Sequence, residues 1–199
     1  MSEADPRSKV ELAPEPQIYG LYLFVTDEED NVLVFKNNQT KESTQKVIGQ
    51  LTTPAETIEP GEKLMRDSLP RAIAEEVGYI AGANPKFRGT AIMHTPRADI
   101  HIVCMEIKTK RDSVYIDPKD SGELSAPRWV PLDEIDNRTF RIQNWDIPVY
   151  RSPIVELAEN LKRAKRGEKF PIAQSVKPEM PSDLYSFLKD NPRAVYPVE

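Results

Sequence analysis

Apolar and polar positions fall into blocks along this chain. The runs "IYGLYLFVT" (Ile18–Thr26) and "VLVF" (Val32–Phe35) flank a polar stretch from Asp27 to Asn31, which predicts two strands joined as a hairpin. A polar loop follows from Asn37 to Lys46. Farther on, "FRGTAIMHTP" and "ADIHIVCMEIKTK" predict two strands around a proline turn. In the second, the set Ile100, Ile102, Cys104 and Glu106 and the set His101, Val103, Met105 and Ile107 are both largely apolar, so it reads as a central strand covered on both faces. "DPKDSGELSAP" predicts a loop, and "RWVPL" a short strand. "SPIVELAENLKRAKR" predicts an amphipathic helix with Ile154, Leu157, Ala158 and Leu161 on one stripe, Ser152 as N-cap and Pro153 at the first helical position. Near the C-terminus Ser182 caps a short predicted helix whose Leu184, Phe187 and Leu188 pack back onto the domain.

Composition narrows this picture. A chain of 199 residues suits one domain with extensions. Its prolines cluster toward both ends, which predicts a flexible arm over residues 1–17, a compact domain over 18–164 and a Pro-rich C-terminal extension over 165–199. The net charge of -5 gives no indication of a nucleic-acid surface. A single cysteine, Cys104, rules out a disulfide framework and a cysteine-built zinc site. Without a run of roughly 18 apolar residues or a secretory-type start, no membrane association is expected, and the expected location is cytoplasmic.

The segment "TTPAETIEPGEKLMRDSLPRAIAEEVGYI" gathers Glu56, Glu59, Glu62, Glu75 and Glu76 in a loop followed by a helix. On spacing alone this is a solvated acidic face or a cage for a hard cation. Strands, a Pro-rich loop, a glutamate-bearing helix, further strands and a closing helix are the order of an α+β sandwich. The three landmarks "LTTPAETIEPGE", "RAIAEEVGY" and "RWVPLDEID" resemble, in that order, the Nudix (MutT-like) family over roughly residues 18–164. The resemblance implies an α/β/α sandwich with a mixed sheet, and a box of the form G-x5-E-x7-R-E-U-x-E-E-x-G-U that presents carboxylates to Mg²⁺ or Mn²⁺. Matched residue by residue, it implies metal ligation by Glu62, Glu75 and Glu76, an orienting role for Arg71 at the catalytic centre, and ligand contacts at Glu59 and Gly61.

The match departs from the box in ways that bear on chemistry. Ala72 stands where the second residue of "R-E" carries a carboxylate, eight residues separate Glu62 from Arg71 where the box has seven, and Ala55-Glu56 replaces a Gly-Gly pair. Helical spacing sets positions 72, 75 and 76 on one face, so Ala72 removes an oxygen from it. Pro70 belongs in a first turn, which predicts a helix starting near Asp67 or Ser68. Glu123, in the loop before Trp129, is the one candidate for a substitute base that the resemblance implies and is equally an ordinary turn carboxylate, while His94, His101, Trp129 and Trp145 read as structural. The expectation is a Nudix-fold protein with a damaged box. It binds a nucleotide or diphosphate-type ligand, or a protein partner, with weak or no hydrolysis, and a homodimer stays open. The alternative is an active Mg²⁺-dependent pyrophosphohydrolase of nucleoside diphosphates linked to another group.

Overall fold

The computed structural model describes residues 18–41, 46–94, 98–117, 122–142, 145–168, 170–171 and 194–195. The expected N-terminal arm and the Ser182-capped helix lie outside the described residues, as does the side chain of Trp145. Strands in chain order are β1 (Ile18–Thr26), β2 (Asn31–Asn37), β3 (Leu51–Thr52), β4 (Ala55–Ile58), β5 (Gly78–Ile80), β6 (Pro85–His94), β7 (Asp99–Lys108), β8 (Val114–Ile116), β9 (Leu124–Pro131), β10 (Thr139–Ile142), β11 (Trp145–Pro148), β12 (Phe170–Pro171) and β13 (Ala194–Val195). The helices are α1 (Leu69–Ala72), flanked by wider turns at Leu64–Ser68 and Ile73–Val77, and α2 (Ser152–Lys165).

The main sheet runs β3-β2-β1-β7-β6, with β4 also pairing β1 and β9 pairing β2. It is mixed, because β1 and β7 are parallel along the whole of β1 while the other pairings are antiparallel. As the double apolar set predicts, β7 lies between β1 and β6 and is buried from Ile102 to Ile107. Alternation along β1 and β2 sends Leu21, Leu23, Leu33 and Phe35 to one face, under Leu64, Leu69, Ala72 and Val77. Tyr22, Phe24, Val32 and Val34 go to the other face, under Ile154, Leu157, Ala158 and Leu161 of α2. The expected α/β/α sandwich follows from those two apolar faces.

Helix α2 is fully buried along its predicted stripe, and it ends where the chain turns at Gly167, with a φ of 75°. There the N–H groups of Gly167 and Glu168 reach back to the carbonyls of Ala164 and Arg163, a left-handed C-terminal cap. Arg151, rather than Ser152, is the residue at its N-cap.

Two local readings change and a third gains detail. The hairpin is paired only beside its turn, Thr26↔Val32, because β4 takes the edge of β1 from Tyr19 to Tyr22 and β9 takes β2. Strand β9 starts at Leu124, inside the predicted loop, since pairing with β2 supplies backbone partners that local sequence does not reveal. The α-helix itself begins at Leu69, beside the expected Asp67 or Ser68 and with Pro70 in its first turn, but a wide turn at Leu64–Ser68 precedes it. In a regular α-turn the ring of Pro70 would meet the carbonyl four residues back, whereas the wide turn before it closes by Leu69 N–H bonding to the Leu64 carbonyl, five back.

Candidate functional site

The acidic segment builds its site from a tight turn. Glu59-Pro60-Gly61-Glu62 closes with the Glu62 N–H on the Glu59 carbonyl at 3.0 Å, and Gly61 takes a φ of 86°. Proline at the second position and a positive-φ glycine at the third are what a type II turn requires. The turn aims the Glu62 carboxylate back over its own loop, where it accepts the Glu59 N–H and the Ser68 hydroxyl, each at 2.9 Å. Glu59 and Gly61 thus shape the position of Glu62.

Arg71 comes to that carboxylate from the helix. Its Nε and Nη2 donate to Glu62 at 3.1 and 2.8 Å, Nη2 also donates to the Thr57 carbonyl at 2.8 Å, and Nη1 lies 3.0 Å from Glu56 and 3.7 Å from Glu75. The fork-to-fork geometry of the Arg71–Glu62 pair is the strong form of this interaction. It forms despite the eight-residue interval between the two residues. A regular helix cannot absorb an odd residue without rotating everything after it, but a turn closed by i→i+5 bonds can. The wide turn Leu64–Ser68 does this and returns Arg71 to face Glu62. Arg71 holds the Glu62 carboxyl down at about 2, and Glu62 in turn raises the guanidinium above its usual value.

The expected common face of positions 72, 75 and 76 is divided. Ala72 is fully buried in the core, Glu75 is drawn toward Arg71, and Glu76 lines a cleft. The second wide turn, Ile73–Val77, changes the angular spacing that a regular helix would give these residues. Its end is sharp. Gly78 sits at a φ of 119°, where an added Cβ would be 2.6 Å from the Asp117 nitrogen and the Tyr115 oxygen.

The cleft has a volume of about 190 Å³. Glu56 and Glu76 supply one group of charges, and Lys41, Lys46 and Arg151 another; Gly20, Tyr22, Ala55, Met93 and Ile100 add apolar surface. Glu123 opens into this same cleft. Its carboxylate bonds to the Lys46 ammonium, with Lys41 Nζ at 3.9 Å, and the Lys46 bond holds the carboxyl below its ordinary value. Arg151 is nearly buried, its guanidinium 5.5 Å from the centre of the Tyr22 ring. Lys41, Lys46 and Arg151 carried no signal in the sequence. The first two sit in a polar loop, and the third at a helix end remote in the chain.

The other candidates are structural. His94 pairs with Asp99 at 2.8 Å, at the exposed ends of β6 and β7. His101 is buried, with its ring centre 5.5 Å from that of Tyr19, and burial lowers its basicity against the opposing pull of Asp99. Trp129 packs against the core with the Arg111 guanidinium 5.4 Å from its ring centre.

Whether these groups fit a divalent cation can be tested on their grouping. Mg²⁺ takes hard oxygens in near-octahedral order. Among the described residues, no three His, Cys, Asp or Glu side chains are grouped to hold a metal ion. Glu62 is committed to Arg71, and Ala72 offers no oxygen. Among the described residues, these side chains therefore do not by themselves make up a cation cage.

The sequence profile of the NUDIX domain matches residues 17–152. The chain belongs to the NUDIX domain family. Members of this family generally use divalent metal ions such as Mg²⁺. Solved structures share the Nudix fold at low identity. The MutT protein from Methanosarcina mazei Go1 matches with a TM-score of 0.58 at 17% identity, over 78% of this chain and 99% of that one. The NUDIX domain of Shewanella oneidensis NrtR, complexed with ADP ribose, matches at 0.55 and 15%, over 78% and 94%. A C. elegans Ap4A hydrolase in a binary complex matches at 0.54 and 13%, over 75% and 98%. A comparison with curated proteins returns no match.

Proposed function

We propose that this Nudix chain binds a nucleoside-diphosphate-type ligand in the cleft and hydrolyses it weakly or not at all. The observation that carries the reading is where the carboxylates are spent. Glu123 is held by Lys46, and the helix position that carries a carboxylate in the family box is the buried Ala72. A carboxylate held low by a cation is a weaker proton acceptor, and losing a catalytic base lowers a rate by about 10²–10⁴-fold. The cleft still offers cations to phosphate oxygens and apolar surface to a ring. ADP ribose, bound by the NrtR domain, is a ligand of this chemical type.

One observation favours the second reading, an active metal-dependent pyrophosphohydrolase. Glu76 and Glu123 line the same cleft, so a carboxylate from outside the box shares it with one from within. The discriminating experiment presents the protein, with Mg²⁺ or Mn²⁺, with ADP-ribose, dinucleoside polyphosphates, NADH, nucleotide sugars, dNTPs and capped RNA. Saturable binding of at least one, without turnover, is expected. Metal-dependent cleavage that disappears in Glu76→Gln would replace this reading with the second. Neither binding nor turnover would refute both and point to a protein partner.

A further inference from the structure

We propose that Gly20 is the specificity-determining residue of the cleft: its missing side chain leaves the depth in which the planar ring of a nucleotide-type ligand is seated. The inference rests on the proposed function and deepens it by naming the position that admits the ring.

Gly20 is out of place in its strand. Every other position from Ile18 to Val25 carries a large apolar or aromatic side chain, and a glycine in a strand interior weakens it relative to alanine. Two features of a fold hold a glycine at such a position, and neither applies. The backbone does not require one, because the φ of Gly20 is not positive and the residue pairs in register with Thr57 of β4 and Ile102 of β7. Packing does not require one either. A Cβ on Gly20 would lie 3.5 Å from Ile100 Cγ2, 3.7 Å from Ile102 Cγ1 and 3.9 Å from the Glu56 carbonyl oxygen, all ordinary contact distances. Gly78 is the contrast, since there the φ of 119° and contacts of 2.6 Å both demand glycine.

What the missing side chain leaves is depth in the cleft. Gly20 lines the cleft and is itself buried, so it lies at the bottom and not at the rim. Tyr22, Met93 and Ile100 line the same cleft and belong to the apolar face of the sheet that α2 covers farther along. A sheet face with one side chain left out lets another group approach its backbone closely. The surface there is apolar, which favours a ring over a phosphate or a sugar. A methyl group at position 20 would raise this floor without disturbing the strand, so the position separates the needs of the ligand from those of the fold.

The test measures binding of ADP-ribose and of inorganic pyrophosphate, by calorimetry, to wild type, Gly20→Ala and Gly20→Val, with urea unfolding of each protein alongside. One methyl group too many in a fitted apolar seat costs about tenfold or more in affinity. Gly20→Ala is therefore expected to weaken ADP-ribose binding about tenfold, and Gly20→Val further, while Gly20→Ala unfolds at a higher urea concentration than wild type. Pyrophosphate, which has no ring, should distinguish none of the three proteins. Affinity lost and stability gained by the same substitution mark a glycine kept for a ligand. The inference is overturned, with the proposed function left standing, by ADP-ribose binding that both substitutions leave unchanged, by a Gly20→Ala protein less stable than wild type, or by an equal loss of pyrophosphate binding. A wild type that does not bind ADP-ribose overturns it too, and one that also binds nothing else on the wider panel refutes the proposed function with it.

Discussion

Replacing Arg71 with methionine keeps most of the side chain's length and removes the cation against which Glu56, Glu62 and Glu75 are arranged. The Glu62 carboxyl is held at about 2 against an ordinary 4.5, chiefly by hydrogen bonds from Arg71. A depression of that size corresponds at neutral pH to roughly 3 kcal/mol of folding stability. The Arg71 and Glu62 side chains are 27% and 21% exposed, and solvent screening brings the expected loss to about 1.5–3 kcal/mol. Because the folded value lies below the unfolded one, this stabilisation is complete above pH 4.5 and disappears as the pH falls through about 2. Urea unfolding of wild type and Arg71→Met at pH 7 and pH 3 should therefore give a difference that shrinks by about half or more in acid. A difference unchanged between the two pH values, or below about 0.5 kcal/mol at pH 7, would show that Arg71 is not what holds the loop to the helix.

Further consequences follow from the same physics. Glu106 is buried, accepts the Thr26 hydroxyl at 2.8 Å and Arg88 Nε at 2.7 Å, and has Lys165 at 3.4 Å. Burial pushes its carboxyl up, but these partners leave it lowered overall, so Glu106→Gln should cost about 2–4 kcal/mol in denaturant unfolding. Gly78→Ala forces a Cβ to within 2.6 Å of backbone atoms at positive φ, and a fall in Tm of at least about 5 °C is expected by calorimetry. Leu157→Ala opens a cavity beneath α2, which is fully buried there, and should cost about 2–5 kcal/mol. Burial holds the His101 imidazole below its ordinary 6.5, so the unfolded chain binds its proton first and stability drops as pH falls below 6.5. His101→Phe should flatten that part of the pH–stability curve.

Local pattern alone determined a good deal about this protein. The alternating runs located β1, β2, β6 and β7, the double apolar set identified β7 as central, and the 3.6-residue stripe located α2 with its buried face. These readings succeed because side-chain periodicity depends on neighbouring residues and on which side is covered, both of which the sequence states. The three box-like landmarks likewise led to the family, and they placed Glu62 and Arg71 at the candidate site.

Tertiary structure decided what depends on distant partners. The splitting of the β1–β2 hairpin required β4 and β9 to compete for its edges, and the early start of β9 depended on that pairing. The extra residue before Arg71 looked like damage in the sequence. In the fold it becomes a widened turn that leaves the Glu62–Arg71 pair intact, because a helix can change its hydrogen-bond interval while a motif count cannot. The cationic side of the cleft was hidden most completely. Lys46 and Glu123 are 77 positions apart, and Arg151 is the N-cap residue of the closing helix. Nothing in the local sequence of any of the three records the others. Their meeting is a property of the packed sheet and loops.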